Sequence, residues 1–183
     1  MAQKRKRDPV TPEMRKRLLA NRDGRITPNQ WLDLIIQPLI VVMVLFGVGF
    51  LVFGEYMLAL FDDAWWLILP IIALLVFLPG ILRAVRYARM PVHFARLEAG
   101  VQPWWGFWRP VVFYDAADHP VTFLRRLAPR PALRVSEPYI VYYLDEPQGK
   151  VLLSAAPAEH EDAESWLPTR NFDIRQERRF RRS

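Results

Sequence analysis

Two apolar runs dominate the hydrophobic pattern of the chain, and an acidic gap separates them. Leu34 to Phe53 is 20 residues long with Gln37 as its only polar side chain, and Ala64 to Leu82 is 19 residues with none. A helix needs about 20 apolar residues to cross a hydrocarbon layer. Lipid offers no partner to a free backbone N–H or C=O, so both runs are expected as helices. The pattern therefore predicts an α+β membrane protein: a two-helix transmembrane hairpin, a small β-rich domain and a C-terminal helix. The expected boundaries are a basic arm over 1–30, the hairpin over 31–89 with its outer loop at 54–63, the domain over 90–170 and a basic tail over 171–183.

Downstream of the runs the period changes. Pro91 ends the second helix, and Val92 to Ala99 reads as one short helix closed by Gly100. Pro110 to Tyr114 and Val121 to Arg126 flank the turn-rich Asp115 to Pro120. Tyr139 to Leu144 and Val151 to Ala155 flank Asp145 to Lys150. β-Branched and aromatic residues between Asp, Pro and Gly turns predict two hairpins, and Leu133 to Val135 a fifth short strand. Ala158 to Leu167, after Pro157, reads as a helix covering the sheet. Upstream, Thr11-Pro12 signals a helix start, and Thr27 with Gln30 has capping-box spacing.

Charge gives the hairpin a side. Net charge is +6. Residues 1–30 hold nine Lys or Arg against three acids, and the remainder holds sixteen of each, so the basicity belongs to the arm. Lys4, Arg5, Lys6, Arg7, Arg15, Lys16 and Arg17 precede the first run, and Arg83, Arg86 and Arg89 follow the second. The gap holds Glu55, Asp62 and Asp63 and no Lys or Arg. The positive-inside rule then places both termini in the cytoplasm of a bacterial cell with the hairpin in its inner membrane. A signal peptide is the rival reading of the first run, and its long basic region and missing A-x-A site oppose it. The pairs Gly47/Gly54 and Ala73/Gly80 each share a helix face on which small residues permit close packing, although glycine is common in membrane helices anyway.

The basic arm has three readings: a topology signal attracting anionic lipid headgroups, a protein-binding segment, or a nucleic-acid contact. The last ranks lowest, because Lys4 to Arg7 could neutralise phosphates but no nucleic-acid-binding fold or stacking motif accompanies them. Trp104, Trp105, Phe107 and Trp108 are interaction candidates, with domain core, interfacial anchor and docking patch as competing explanations.

Candidate chemistry is sparse. No cysteine is present, which excludes disulfides, thiolate nucleophiles and Cys-ligated metals. Leu19 to Gln30 resembles a calcium loop in part, but Leu19 and Gln30 stand where oxygen ligands are needed, so a turn closed by Asp23-Gly24 is expected. His160 and Glu164 have helical i, i+4 spacing, too few ligands for a metal. Asp115, Asp118 and His119 fit a β-turn without catalysis. No phosphate loop, dinucleotide fingerprint or nucleophile elbow occurs. No catalytic residue, metal, cofactor, small-molecule ligand or specific nucleic acid is therefore assigned. The expected role is a non-catalytic accessory or assembly subunit of a membrane complex; a tethered adaptor or lipid-surface module and, last, a membrane enzyme are the alternatives.

Overall fold

The computed structural model describes residues 8–33, 71, 74, 77–101, 110–127 and 133–180. The chain forms two compact units, one of residues 1–30 with 89–183 and a second of residues 31–88.

The first unit is built on a closed five-strand barrel. Its strands are β1 (Val92–Ala99), β2 (Val111–Tyr114), β3 (Pro120–Arg126), β4 (Pro138–Glu146) and β5 (Gly149–Pro157), closed in the order β1-β2-β3-β5-β4. All pairs are antiparallel except β3 with β5. This Greek-key order, with its single parallel pair, is that of an OB-type barrel.

Alternation along the strands separates two cores. Leu97, Ala99, Val111, Phe113, Phe123, Tyr139, Val141, Leu152 and Ala155 pack together as the barrel interior. Phe113 meets Phe123 edge-on at 5.5 Å, an arrangement aromatic quadrupoles favour. The alternate residues of β4, Ile140, Tyr142 and Leu144, point outward and are buried as well. They are covered because both ends of the unit wrap this side.

Helix α1 (Pro12–Asn21) starts where Thr11 Oγ1 accepts the Met14 amide at 3.2 Å. Met14 and Leu18, one turn apart, are buried, and α1 packs on β5. The helix stops at a turn in which Gly24 has φ +70°, a conformation glycine adopts without Cβ strain. Residues 28–33 are again helical. At the other end, Ala163–Trp166 form a 3-10 turn and α3 spans Arg170–Phe180. Tyr142 donates its hydroxyl to the Trp166 carbonyl at 2.6 Å and packs its ring against Phe172 at 6.1 Å. Thr169 Oγ1 donates to Asp23 Oδ1 at 2.7 Å, tying the α1 turn to the start of α3.

Several expectations are corrected. The architecture is a closed barrel, not a two-helix transmembrane hairpin carrying a small α+β domain. Among the described residues no helix is long and apolar enough to cross a membrane. Leu34 to Phe53, the loop 54–63 and Gly47, Gly54 and Ala73 lie outside the described residues. Of the second run, 77–82 belongs to helix α2 (77–89). Residues 71 and 74 are helical as well, and the helix runs on past the run through Arg83, Arg86 and Arg89. The expected multi-pass location in an inner membrane falls with the hairpin it rested on. In α2, Gly80, Ala84 and Tyr87 are buried while Leu78, Ile81, Leu82 and Val85 are exposed.

Val92–Ala99 is a strand, not a helix: its seven-pair ladder with β4 overrides the local preference of Ala, Arg, Leu and Glu. The helix expected over 158–167 is replaced by turns and the 3-10 segment, the strand expected at 133–135 is absent there, and the tail is helical through α3.

Candidate functional site

Among the described residues, a group of titratable side chains lies where the arm meets the turn after β5. His160 is held by its neighbours: its Nδ1 accepts the Asp162 amide at 3.1 Å, and its ring tilts against Trp166 at 4.9 Å. Its other nitrogen, Nε2, is 3.2 Å from Asp8 Oδ1. Because Nδ1 is an acceptor, Nε2 carries the proton of the neutral ring and donates to Asp8. Asp8 also accepts the Val10 amide at 2.8 Å and pairs with Arg15. Arg15 reaches Asp162 Oδ2 at 2.7 Å. The Val10 amide foremost, then Arg15 and His160, hold the Asp8 carboxyl below the usual carboxylate range.

This geometry binds chain to chain. His160, Glu161 and Asp162 can bring one ligand atom each within 4.8 Å of one another. Both His160 ring nitrogens already have hydrogen-bond partners, however, so the ring has no lone pair directed at a metal or at a substrate proton. The expected His160–Glu164 helical pairing is replaced by this longer-range contact, because 160–162 form a turn.

A second group closes one end of the barrel. His93 stacks on Tyr143 at 5.3 Å, and Lys150 Nζ stands 5.1 Å from the Tyr143 ring and 3.1 Å from Asp145 Oδ1. Burial, opposed by Asp145 and assisted by Lys150, lowers the His93 pKa, which favours the neutral ring. Phe123 meets Tyr143 edge-on at 5.6 Å. Tyr143 is thus surrounded by its own neighbours.

The third group, Asp115 with His119, is a turn device. Asp115 Oδ1 accepts the amides of Ala117 and His119, each at 2.9 Å, and Asp118 has φ +60°. The backbone bond from His119 is the main cause of a lowered Asp115 pKa.

The sequence-derived basic positions separate. Arg15 is engaged with Asp8 and Asp162, and Arg17 is buried with Glu13 as a partner at 2.6 Å. Lys16, Arg86 and Arg89 are exposed and Arg83 is half-buried. Lys4, Arg5, Lys6, Arg7, Trp104, Trp105, Phe107 and Trp108 lie outside the described residues. Asp8 as the partner of His160 was not foreseen, since no periodicity relates positions so far apart.

The remaining feature is an open face. The outward residues of β2 and β3 alternate with the interior set: Val112 pairs with Thr122 and Tyr114 with Pro120, and Glu98 of β1 lies beside Tyr114. Thr122, Pro120, Glu98 and Arg96 are exposed, and Leu124 is 53% exposed. The Tyr114 ring lies across Gly100, where a Cβ would come within 2.8 Å of it. No family model, characterised protein or solved structure matches the chain.

Proposed function

We propose that the chain is a non-catalytic binding module, an accessory or assembly subunit that engages a protein partner through the outer faces of β1, β2 and β3. The observation that carries this reading is the unequal covering of the barrel. β4 and β5 are buried on both faces by α1, the 3-10 turn and α3, whereas the outward residues of β3 stay exposed. A closed barrel offers no free strand edge, so recognition by strand addition is disfavoured and a face or loop must serve. Tyr114 and Leu124 supply apolar contact, with Arg96, Glu98 and Thr122 as a polar rim, a composition suited to a protein interface. The corresponding face of OB-type barrels binds oligonucleotides and oligosaccharides, so the analogy of fold supports a binding surface here and leaves the protein nature of the partner to the composition of the face.

The test is affinity isolation of the cross-linked full chain from its native cell, with Thr122→Arg and Leu124→Asp as variants. A stoichiometric protein retained by the wild type and weakened at least about tenfold by either variant, with unchanged thermal unfolding, supports the reading. A wild type that retains no stoichiometric partner, or variants that retain it equally, overturns it.

A further inference from the structure

We propose that helix α3 is a hinged cover, which lifts from the outer side of β4 while the barrel stays folded and so bares the aromatic pair of Phe94 and Tyr142. The inference rests on how α3 is held and is independent of any partner. Thr169 anchors the hinge: its amide donates to the Arg22 carbonyl at 3.1 Å and its Oγ1 to Asp23 Oδ1 at 2.7 Å. Beyond it the attachment is slight. Among the described side chains of α3 only Phe172 is buried, against Tyr142 and beside Gly24. Ile174 is 38% exposed, and Asn171, Asp173, Glu177 and Arg178 face solvent. Gln176 Nε2 donates to the Val92 carbonyl, but among the described residues its buried Oε1 has no hydrogen-bond partner.

These contacts set the balance between docked and lifted states. A helix of 11 residues is shorter than the about 12–15 that sustain a helix in water, so α3 docks and forms in one event. One apolar side chain drives the docking, and opening returns water to the orphaned Gln176 Oε1. Segments with few buried apolar contacts and exposed backbone open ahead of the core they rest on. Beneath α3, Phe94 stands opposite Tyr142 in the β1–β4 ladder with the two rings 5.3 Å apart. Lifting Phe172 uncovers the Tyr142 ring, and half-buried Phe94 carries the bared surface toward Arg96, the next outward residue of β1 and an exposed one. The cover therefore sets how far the outer face of β1 extends onto β4.

The chain has no cysteine, so an engineered pair would be its only thiols. A Cβ at position 24 would lie 3.7 Å from Arg175 Cβ, within the range a disulfide spans. Gly24→Cys with Arg175→Cys thus locks α3 down when oxidised and frees it when reduced, and both forms share the strain of a side chain at φ +70°. Amide exchange is measured in the full chain at Ile174 and, as reference for the barrel, at Leu127, whose amide donates to the Leu152 carbonyl at 2.8 Å. In the wild type Ile174 is expected to be at least about a hundredfold less protected than Leu127, with little dependence on low denaturant, the mark of a small opening. Oxidation is expected to narrow that gap at least about tenfold relative to the reduced variant. Equal protection of the two amides in the wild type, a gap that oxidation leaves unchanged, or a folded reduced variant whose thiols do not join would each overturn the proposal.

Discussion

Gln30 donates from Nε2 to the carbonyl of Leu153 at 2.8 Å, joining the start of the 28–33 helix to the main chain of β5. The two residues need each other. Leu153 is the extra residue of a bulge, lying between Ser154, opposite Tyr142, and Leu152, opposite Tyr143. Gln30 is wholly buried, and its Oε1 accepts the Thr27 amide at 2.8 Å while the Gln30 amide reaches Thr27 Oγ1 at 3.4 Å. One side chain thus closes a capping box and satisfies a strand carbonyl.

Gln30→Ala removes both functions and leaves a buried carbonyl unpaired. A loss of about 2–4 kcal/mol is expected, from a cap of about 1 kcal/mol and an orphaned acceptor of about 1–3 kcal/mol. Gln30→Glu keeps the acceptor for Thr27 but sets a carboxylate against the Leu153 carbonyl. Its deficit should shrink as pH falls and the new carboxyl gains a proton to donate. Denaturant midpoints at pH 7.5 and pH 5 check both; a Gln30→Glu deficit independent of pH refutes the bond to Leu153.

Asn21 and Ser154 form the other polar link of this seam. Asn21 Nδ2 donates to Ser154 Oγ at 2.8 Å, both residues are fully buried, and among the described residues Asn21 Oδ1 has no hydrogen-bond partner. Ser154→Ala orphans the amide and should cost about 1–3 kcal/mol. Adding Asn21→Leu removes the orphan with little change in volume, so the double variant should be more stable than Ser154→Ala alone. Chemical denaturation of the three proteins measures this. A double variant less stable than Ser154→Ala shows that the seam is held by packing instead.

What the chain reveals by itself follows the range of the forces involved. Both hairpins were legible, because Asp115 to Pro120 and Asp145 to Lys150 carry turn residues that act locally. So were the Thr11 cap and the Thr27/Gln30 box, whose partners lie within three residues. β1 was not, since Ala-Arg-Leu-Glu-Ala favours a helix until β4 pairs with it. The expected transmembrane hairpin rested on apolar length alone, and no described helix supplies that length. Met14 and Leu18 carried a signal that was missed: their i, i+4 spacing marks α1 as a packed helix and not a free basic arm. The Asp8–His160 contact spans 152 positions, and only barrel closure brings it together.

Tyr142 sets the alkaline limit. Burial pushes its phenol far above the ordinary value, and burial also raises Tyr139. A group whose folded pKa is raised contributes stability that is complete below its unfolded pKa, about 10 for tyrosine, and is lost as pH rises further. Stability should therefore hold to about pH 9.5 and fall steadily above pH 10. Tyr142→Phe forfeits the bond to the Trp166 carbonyl, costing about 1–2 kcal/mol at neutral pH, but flattens the alkaline decline. Urea midpoints from pH 7 to pH 11 decide it; parallel curves for the two proteins would assign the decline to other groups.

Gly149 closes the β4–β5 turn under two constraints that a double variant can separate. Its φ is +137°, and a Cβ there would lie 2.3 Å from Leu124 Cδ1 and 2.8 Å from Leu124 Cγ. Side chains rarely tolerate such a φ, and a strained residue of this kind costs about 1–3 kcal/mol. The collision with Leu124 adds to that, although a 53% exposed side chain has room to rotate away. Gly149→Ala is thus expected to lose about 2–4 kcal/mol. Adding Leu124→Ala removes the collision and leaves the backbone strain, so the two substitutions together should cost less than the sum of each alone. Thermal denaturation of the four proteins in the cycle measures the coupling. Strict additivity would show that Leu124 does not lie over the turn, and would remove it from the open face assigned to the partner.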